Sequence, residues 1–311
     1  MKFRFVLVLA FLLGAMLQPA SAQFGNPSKP VDLPRKVITW VPPYGIAQVQ
    51  ARLPALYSGA GPRTALTHIA LQFWVPTSAG ALARSSRYTT ITNAHIQWFV
   101  NWGRNNGVDV LLCIYNGEND WDWSLTQAVI NPANRNKFAA ALVAEMQARG
   151  LDGIDVDLEG AAADFEADKP AYIAFIRELA RQVHLKGKII TVDSFPYQWN
   201  APNWNWWAAL FPLVDGINSM GYEDLGRNAS GWQGYLTQKN KAGIHSHKLQ
   251  IGIPSYLPTW QSNTTLEQVQ WFRTAQAQRV GVAIWDGQFP DSSWNSAPVW
   301  QQLRAINPSY R

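Results

Sequence analysis

The segment Leu151-Asp152-Gly153-Ile154-Asp155-Val156-Asp157-Leu158-Glu159-Gly160 alternates apolar and acidic residues. Side chains along a β-strand point to opposite faces in turn. Asp155, Asp157 and Glu159 therefore share one face, and Ile154, Val156 and Leu158 share the other. A strand with one oily and one acidic face needs a fold that covers the first and has a use for the second. Crowding like charges in a partly dry place costs several kcal/mol unless some of the groups hold protons, so stability alone does not select the pattern.

Outward from this strand, short β-branched apolar runs recur in both directions. They are Lys36 to Trp40, Leu66 to Phe73, Val108 to Ile114, Gly153 to Leu158, Lys188 to Val192, Val214 to Met220, Leu249 to Ile253 and Val280 to Trp285. Helical patterns occupy most gaps: Ile46 to Leu56, Ala94 to Asn105, Asn134 to Arg149, Ala171 to Leu185, Leu266 to Arg279 and Pro298 to Ala305, with a short one within Trp206 to Leu213. Thr264 with Glu267 predicts a capping box, Asp168 a helix N-terminus, and Gly150 and Gly187 helix ends. Eight strands alternating with helices predict an α/β fold, a single-domain (β/α)8 TIM barrel over residues 36–311. A doubly wound open sheet is the alternative. It would carry a phosphate-binding glycine turn after its first strand, where this chain has Val41-Pro42-Pro43-Tyr44-Gly45. In the barrel the acidic face points inward and rises toward the C-terminal rim.

Composition narrows the function classes. The chain has 311 residues, 47% hydrophobic and 15% charged, which excludes a disordered tail-like protein. A single cysteine, Cys113, excludes a disulfide framework and a Cys-based zinc site. The net charge of +5 is thinly spread and forms no nucleic-acid-binding arm. Residues 1–22 read as an export signal: Lys2 and Arg4, an apolar run from Phe5 to Leu17, and Ala20-Ser21-Ala22 before Gln23. That run has about 13 residues where a membrane span needs about 20. Removing Lys2 and Arg4 leaves a mature charge of +3. A lead segment follows over residues 23–35, and the expected location is secreted or periplasmic in a bacterium, with no membrane association after cleavage.

Asp152-x-x-Asp155-x-Asp157-x-Glu159 has the form DGxDxDxE and resembles the strand-four signature of glycoside hydrolase family 18, the chitinase family. Met220-Gly221-Tyr222 is similar to that family's Met-x-Tyr, and Trp285 to its subsite tryptophan. The resemblance implies a retaining, endo-acting hydrolase of β-1,4-linked N-acetylglucosamine polymers, in which the substrate's own N-acetyl group attacks the anomeric carbon. Glu159 would be the general acid, Asp157 would hold the acetamido N–H, Asp155 would share a proton with Asp157, and Tyr222 would donate to the acetamido oxygen. Trp285 would floor the sugar site, with Tyr44, Phe73, Trp199 and Glu223 (or Asp224) as further substrate contacts. Asp152 and Met220 are structural members of the motifs. No cofactor or metal is implied, the expected partner is an N-acetylglucosamine-containing glycan, and the expected state is a monomer. An endo-β-N-acetylglucosaminidase, a cell-wall glycan hydrolase and a non-catalytic chitin lectin are the alternatives.

The chain departs from the family pattern in three places, one of them after Tyr222, where the family often has Asp and Glu223 and Asp224 follow here. Cys113 stands where strand three usually carries Ser, and the usual insertion between strands seven and eight has no room, which predicts a shallow, open groove. Sixteen tryptophans are an excess. Trp98, Trp102, Trp271 and Trp300 fall in helical patterns and suit packing. Trp74, Trp121, Trp123, Trp199, Trp204, Trp206, Trp207, Trp260, Trp285 and Trp294 fall at or beyond strand ends, where they are candidates for sugar stacking. His245 and His247 lack a third ligand, and His68 reads as a buried, satisfied residue.

Overall fold

The structure is a computed structural model that describes residues 34–160, 163–198, 200–222, 229–257, 259–260 and 263–307. The expected export signal, and the lead segment up to residue 33, lie outside the described residues. The compact unit begins at Pro34. Arg35 belongs to it, since its guanidinium is buried and donates to the carbonyls of Phe272 and Ile306.

Eight parallel strands form the centre: β1 Val37–Val41, β2 His68–Pro76, β3 Asp109–Tyr115, β4 Gly153–Asp157, β5 Ile189–Ser194, β6 Gly216–Ser219, β7 Leu249–Pro254 and β8 Gly281–Trp285. Each pairs with its sequence neighbour, and β1 pairs with both β2 and β8, so the sheet closes into a barrel. Every run expected to be a strand is one, within a few residues at each end. A short strand, Leu82–Arg84, folds back antiparallel on the end of β2.

Alternation sorts the strand residues into two cores. Ile38, Trp40, Ala70, Leu111, Cys113 and Ala283 pack inside the barrel. Val37, Ile69, Leu71, Ile154, Val156 and their equivalents pack outward against the helices. Those helices include Asn93–Asn106, Arg135–Arg149, Lys169–His184 and Ala297–Arg304. Gly150 ends the second of these at φ 68°, a left-handed conformation that glycine adopts without steric cost.

Several helix boundaries differ from the sequence pattern. The first helix stops at Arg52, near Pro54, which has no N–H to continue it. The helix expected over Leu266 to Arg279 covers only Thr265–Trp271, because Thr274 turns back and bonds the Trp271 carbonyl through both its hydroxyl and its N–H. The Thr264–Glu267 capping box is present. Asp168 precedes a helix but makes no cap; its carboxylate accepts from Trp123 Nε1 at 2.8 Å and Gln127 Nε2 at 2.9 Å.

Between β7 and β8 the described residues hold a two-residue-per-strand hairpin, the short helix and a turn, with no inserted domain. No described helix is long and apolar enough to cross a membrane.

Candidate active site

The acidic face of β4 points into the barrel as alternation requires. Asp155 sits deepest and is held by donors from three other strands. Trp40 Nε1 on β1 donates to its Oδ2 at 2.9 Å, Asn218 Nδ2 on β6 donates to its Oδ1 at 3.2 Å, and the Thr191 hydroxyl on β5 also donates to Oδ1. Those bonds occupy both oxygens; the Cys113 thiol and the Asp193 carboxyl also bond Asp155, and Asp193 bonds Asp157 as well, so the two aspartates share Asp193 as a neighbour. Asp157 receives Gln72 Nε2 on its Oδ2 at 2.6 Å, no amide or hydroxyl reaches its buried Oδ1, and the carboxyl groups of Glu159 and Asp193 both hydrogen-bond to it.

Glu159 lies beyond the end of β4, half-buried at the C-terminal mouth. Burial pushes its carboxyl well above the usual range, and the negative charge of Asp157 pushes it further. Burial also raises Asp157 to about 6, with the Asp155 charge adding to the effect.

A fourth carboxylate belongs to the cluster and is missing from the sequence reading. Asp193 on β5 is 1% exposed, accepts from Asn218 Nδ2 at 2.7 Å, and is raised by burial and then by Asp155 and Asp157. Its signal was available, since Thr191 and Asp193 share the inward face of β5. The same holds for Trp40 on β1 and Gln72 on β2. Cys113 lies on the inner face opposite Asp155 in register, and burial followed by the Asp155 charge keeps it a thiol.

These groups open into a cavity of about 210 Å³, lined by Asp157, Glu159, Asp193, Trp121, Phe195, Met220, Tyr222 and Trp285. It is smaller than the roughly 300 to 1,000 Å³ that enclose a whole drug-sized ligand. Trp285 and Tyr222 lean on Trp40, with ring centres 5.9 and 6.5 Å away. The Trp285–Asp286 peptide is cis. The Tyr222 phenol is pushed well up, first by burial and then by the carboxylates, so it remains a donor.

Other expected contacts fall elsewhere. Phe73 has the parity of Ile69 and Leu71, so it points outward, is 0% exposed and packs on Phe99. It is core and walls no sugar site. Tyr44 is 48% exposed and lies beside the cavity instead of lining it, against Tyr88 with its hydroxyl toward Asp286. Trp199, Glu223 and Asp224 lie outside the described residues. Among the other rim tryptophans Trp74, Trp123, Trp206, Trp207 and Trp294 are buried in the outer core, and Trp204 is partly buried against it. Trp74 is turned outward by a register shift between Gln72 and Trp74, and its Nε1 reaches Glu145 at 3.3 Å. Trp121 does line the cavity, with its ring against Gly117.

Asp152 is at the opposite end of the barrel. It accepts from the Val110 N–H at 3.1 Å and from Lys188 Nζ at 3.0 Å, and so staples β3, β4 and the approach to β5. His68 is buried, bonded to Thr67, and lowered to about 3, chiefly by burial. Among the described residues, no three His, Cys, Asp or Glu side chains form a group able to hold a metal ion.

Comparison with known proteins agrees with this geometry. No curated protein sequence matches the chain. Solved structures do. A chitinase from Chromobacterium violaceum ATCC 12472 is 16% identical and superposes with a TM-score of 0.67 over 88% of this chain and 98% of its own. The spore cortex-lytic enzyme SleL of Bacillus cereus is 15% identical, with a TM-score of 0.66 over 88% and 75%. A variant of catalytic domain 2 of the Ostrinia furnacalis Group II chitinase, solved with penta-N-acetylchitooctaose, is 14% identical, with a TM-score of 0.65 over 88% and 96%. At these identities the likeness establishes the fold. The sequence profile described as "Glycosyl hydrolases family 18" matches residues 47–304, nearly the whole barrel, and the chain therefore belongs to that family of glycoside hydrolases.

Proposed function

We propose that this chain is an exported, endo-acting hydrolase of β-1,4-linked N-acetylglucosamine polymers that works with retention through an oxazolinium intermediate. The observation that carries the reading is the hydrogen-bonded pair of Glu159 and Asp157 on one cavity wall, with the Glu159 carboxyl pushed up first by burial and then by the Asp157 charge. One offers a proton and the other accepts. A glycosidic oxygen with an acetamido N–H beside it matches both.

Glu159 gives its proton to the glycosidic oxygen as the bond to the anomeric carbon breaks, and the acetamido oxygen closes on that carbon. Asp157 takes the acetamido N–H and balances the positive charge that develops. Tyr222 donates its phenolic hydrogen to the acetamido oxygen. Water then attacks the anomeric carbon as its bond to the acetamido oxygen breaks and the N-acetyl group is restored, Glu159 accepts the water's proton, and two inversions leave the configuration unchanged. Asp155, held by Trp40, Asn218 and Thr191, supplies fixed negative charge beneath Asp157. Trp285 stacks on the sugar face. The short β7–β8 connection leaves the groove open at one side, which suits cleavage within a polymer. Export rests on residues 1–22 alone.

Product analysis on chitin oligomers, a high-mannose glycopeptide and peptidoglycan, run side by side for the parent protein and Glu159→Gln, tests the proposal. Chitin oligomers cut internally by the parent, and left intact but still bound by the variant, are the expected result. Cleavage confined to the glycopeptide or to peptidoglycan reassigns the substrate. Binding without cleavage by the parent makes the chain a lectin.

A further inference from the structure

Glu159 stands where the sheet has run out. The last register pair between β3 and β4 is Tyr115 with Asp157, two residues short of it. Its backbone N–H and carbonyl are nevertheless both bonded, and to one side chain. The Glu159 N–H donates to Asn116 Oδ1 at 2.9 Å, and Asn116 Nδ2 donates to the Glu159 carbonyl at 2.7 Å. The amide cannot be reversed, because its nitrogen also faces the Asp122 carbonyl at 3.3 Å and Thr126 Oγ1 at 3.4 Å. Asn116 is 0% exposed. One residue further on, Gly160 exchanges both backbone bonds with Ala201, at 2.9 and 3.0 Å.

An amide side chain carries one acceptor and one donor group at the spacing a neighbouring strand would present. Asn116 thus extends the β3–β4 ladder by one rung, at the rung that bears the acid. We infer that Asn116 is the positioning residue for Glu159, holding the backbone from which the carboxyl is aimed at the leaving oxygen. The inference rests on Glu159 being the general acid. It assigns Asn116 no contact with the sugar: Tyr222 and Trp285 stand on other segments, Trp121 follows five residues later on the same loop, and Asn116 is absent from the cavity lining. A misplacement of about 1 Å at a reacting group costs on the order of 100-fold in rate, so release of this backbone acts on turnover and leaves binding alone.

The test is steady-state kinetics of Asn116→Ala and Asn116→Asp on whichever of the three glycans the parent cleaves, with rates corrected for folded fraction by near-UV circular dichroism. Asn116→Asp, nearly isosteric, serves if the alanine variant does not fold. The expected result is a fall in kcat of about 100-fold with KM within about twofold, in any variant that folds. A kcat within about threefold of the parent in a folded variant overturns the inference, as does a loss confined to KM or to thermal stability. Glu159→Gln in the same assay separates the two claims. If it is inactive while Asn116→Ala is fully active, only the positioning role fails; if it is itself fully active, the assignment of the acid fails.

Discussion

Trp40 and Asp155 join opposite sides of the barrel: the indole Nε1 on β1 donates to the carboxylate Oδ2 on β4 at 2.9 Å, in a fully buried contact. The same indole is the edge against which Trp285 and Tyr222 rest. One side chain therefore fixes both the deepest carboxylate and two aromatic walls of the cavity.

Trp40→Phe keeps most of the ring and deletes the donor. A hydrogen bond to a charged group contributes about 1.5 to 3 kcal/mol, and its loss leaves a buried carboxylate oxygen short of a partner. Urea unfolding is expected to show a stability loss of about 2 kcal/mol, with kcat reduced more than KM. A variant with the parent's kcat would mean that Asp155 needs no help from β1.

Turnover should trace a bell against pH. Asp157, held at about 6 mainly by burial, must ionise to balance the intermediate, so activity rises through about that pH. It falls again at the higher pH where Glu159 gives up its proton. The charge of Asp157 is the second cause, after burial, of that proton's retention. In Asp157→Asn the alkaline limb of the residual activity should therefore move to lower pH. An alkaline limb that stays in place would assign it to another group.

Asp193 yields a stability prediction with a definite sign. Burial, then Asp155 and Asp157, raise its carboxyl in the folded state, so the native protein keeps this proton to higher pH than the unfolded chain does. Its contribution is complete below the unfolded carboxylate value of about 3.9 and is lost as pH rises toward the folded value. Asp193→Asn removes that titration at nearly constant shape. Urea midpoints measured from about pH 4 upward should decline less steeply in the variant. Parallel declines would show that Asp193 does not contribute to the slope.

Trp285→Ala and Phe73→Ala should fail in opposite ways. The first removes a wall of the cavity and is expected to raise KM for oligosaccharides about tenfold, equivalent to about 1.4 kcal/mol, with Tm little changed. The second empties a fully buried site between β2 and its covering helix. It should cost about 3 to 5 kcal/mol of stability with KM unchanged in the folded fraction. A KM effect from Phe73 would return it to the sugar site.

Eight β-branched runs and the alternation of Ile154 through Glu159 were enough to predict a closed barrel with acids on its inner face, because period-two alternation is a local property of the chain. The same parity places Phe73 beside Ile69 and Leu71, and Asp193 beside Thr191. Both positions follow from parity along the strand, whereas residue type at a strand end does not distinguish core from site. Trp74 was not legible, because the register shift that turns it outward arises from the pairing of β2 with β3. The rim tryptophans show the same limit, since position after a strand does not say whether an indole folds over the mouth or beneath a helix.

By itself the sequence determined which residues are acidic, apolar or aromatic and on which side of each strand they emerge, since both follow from covalent order and backbone geometry. Only the tertiary structure decided that Asp193 joins the carboxylate cluster, that Asn116 clasps the backbone of Glu159, and that Trp40 reaches across to Asp155. The last two relationships join residues 43 and 115 positions apart, and their energies depend on distance and burial that no local pattern encodes.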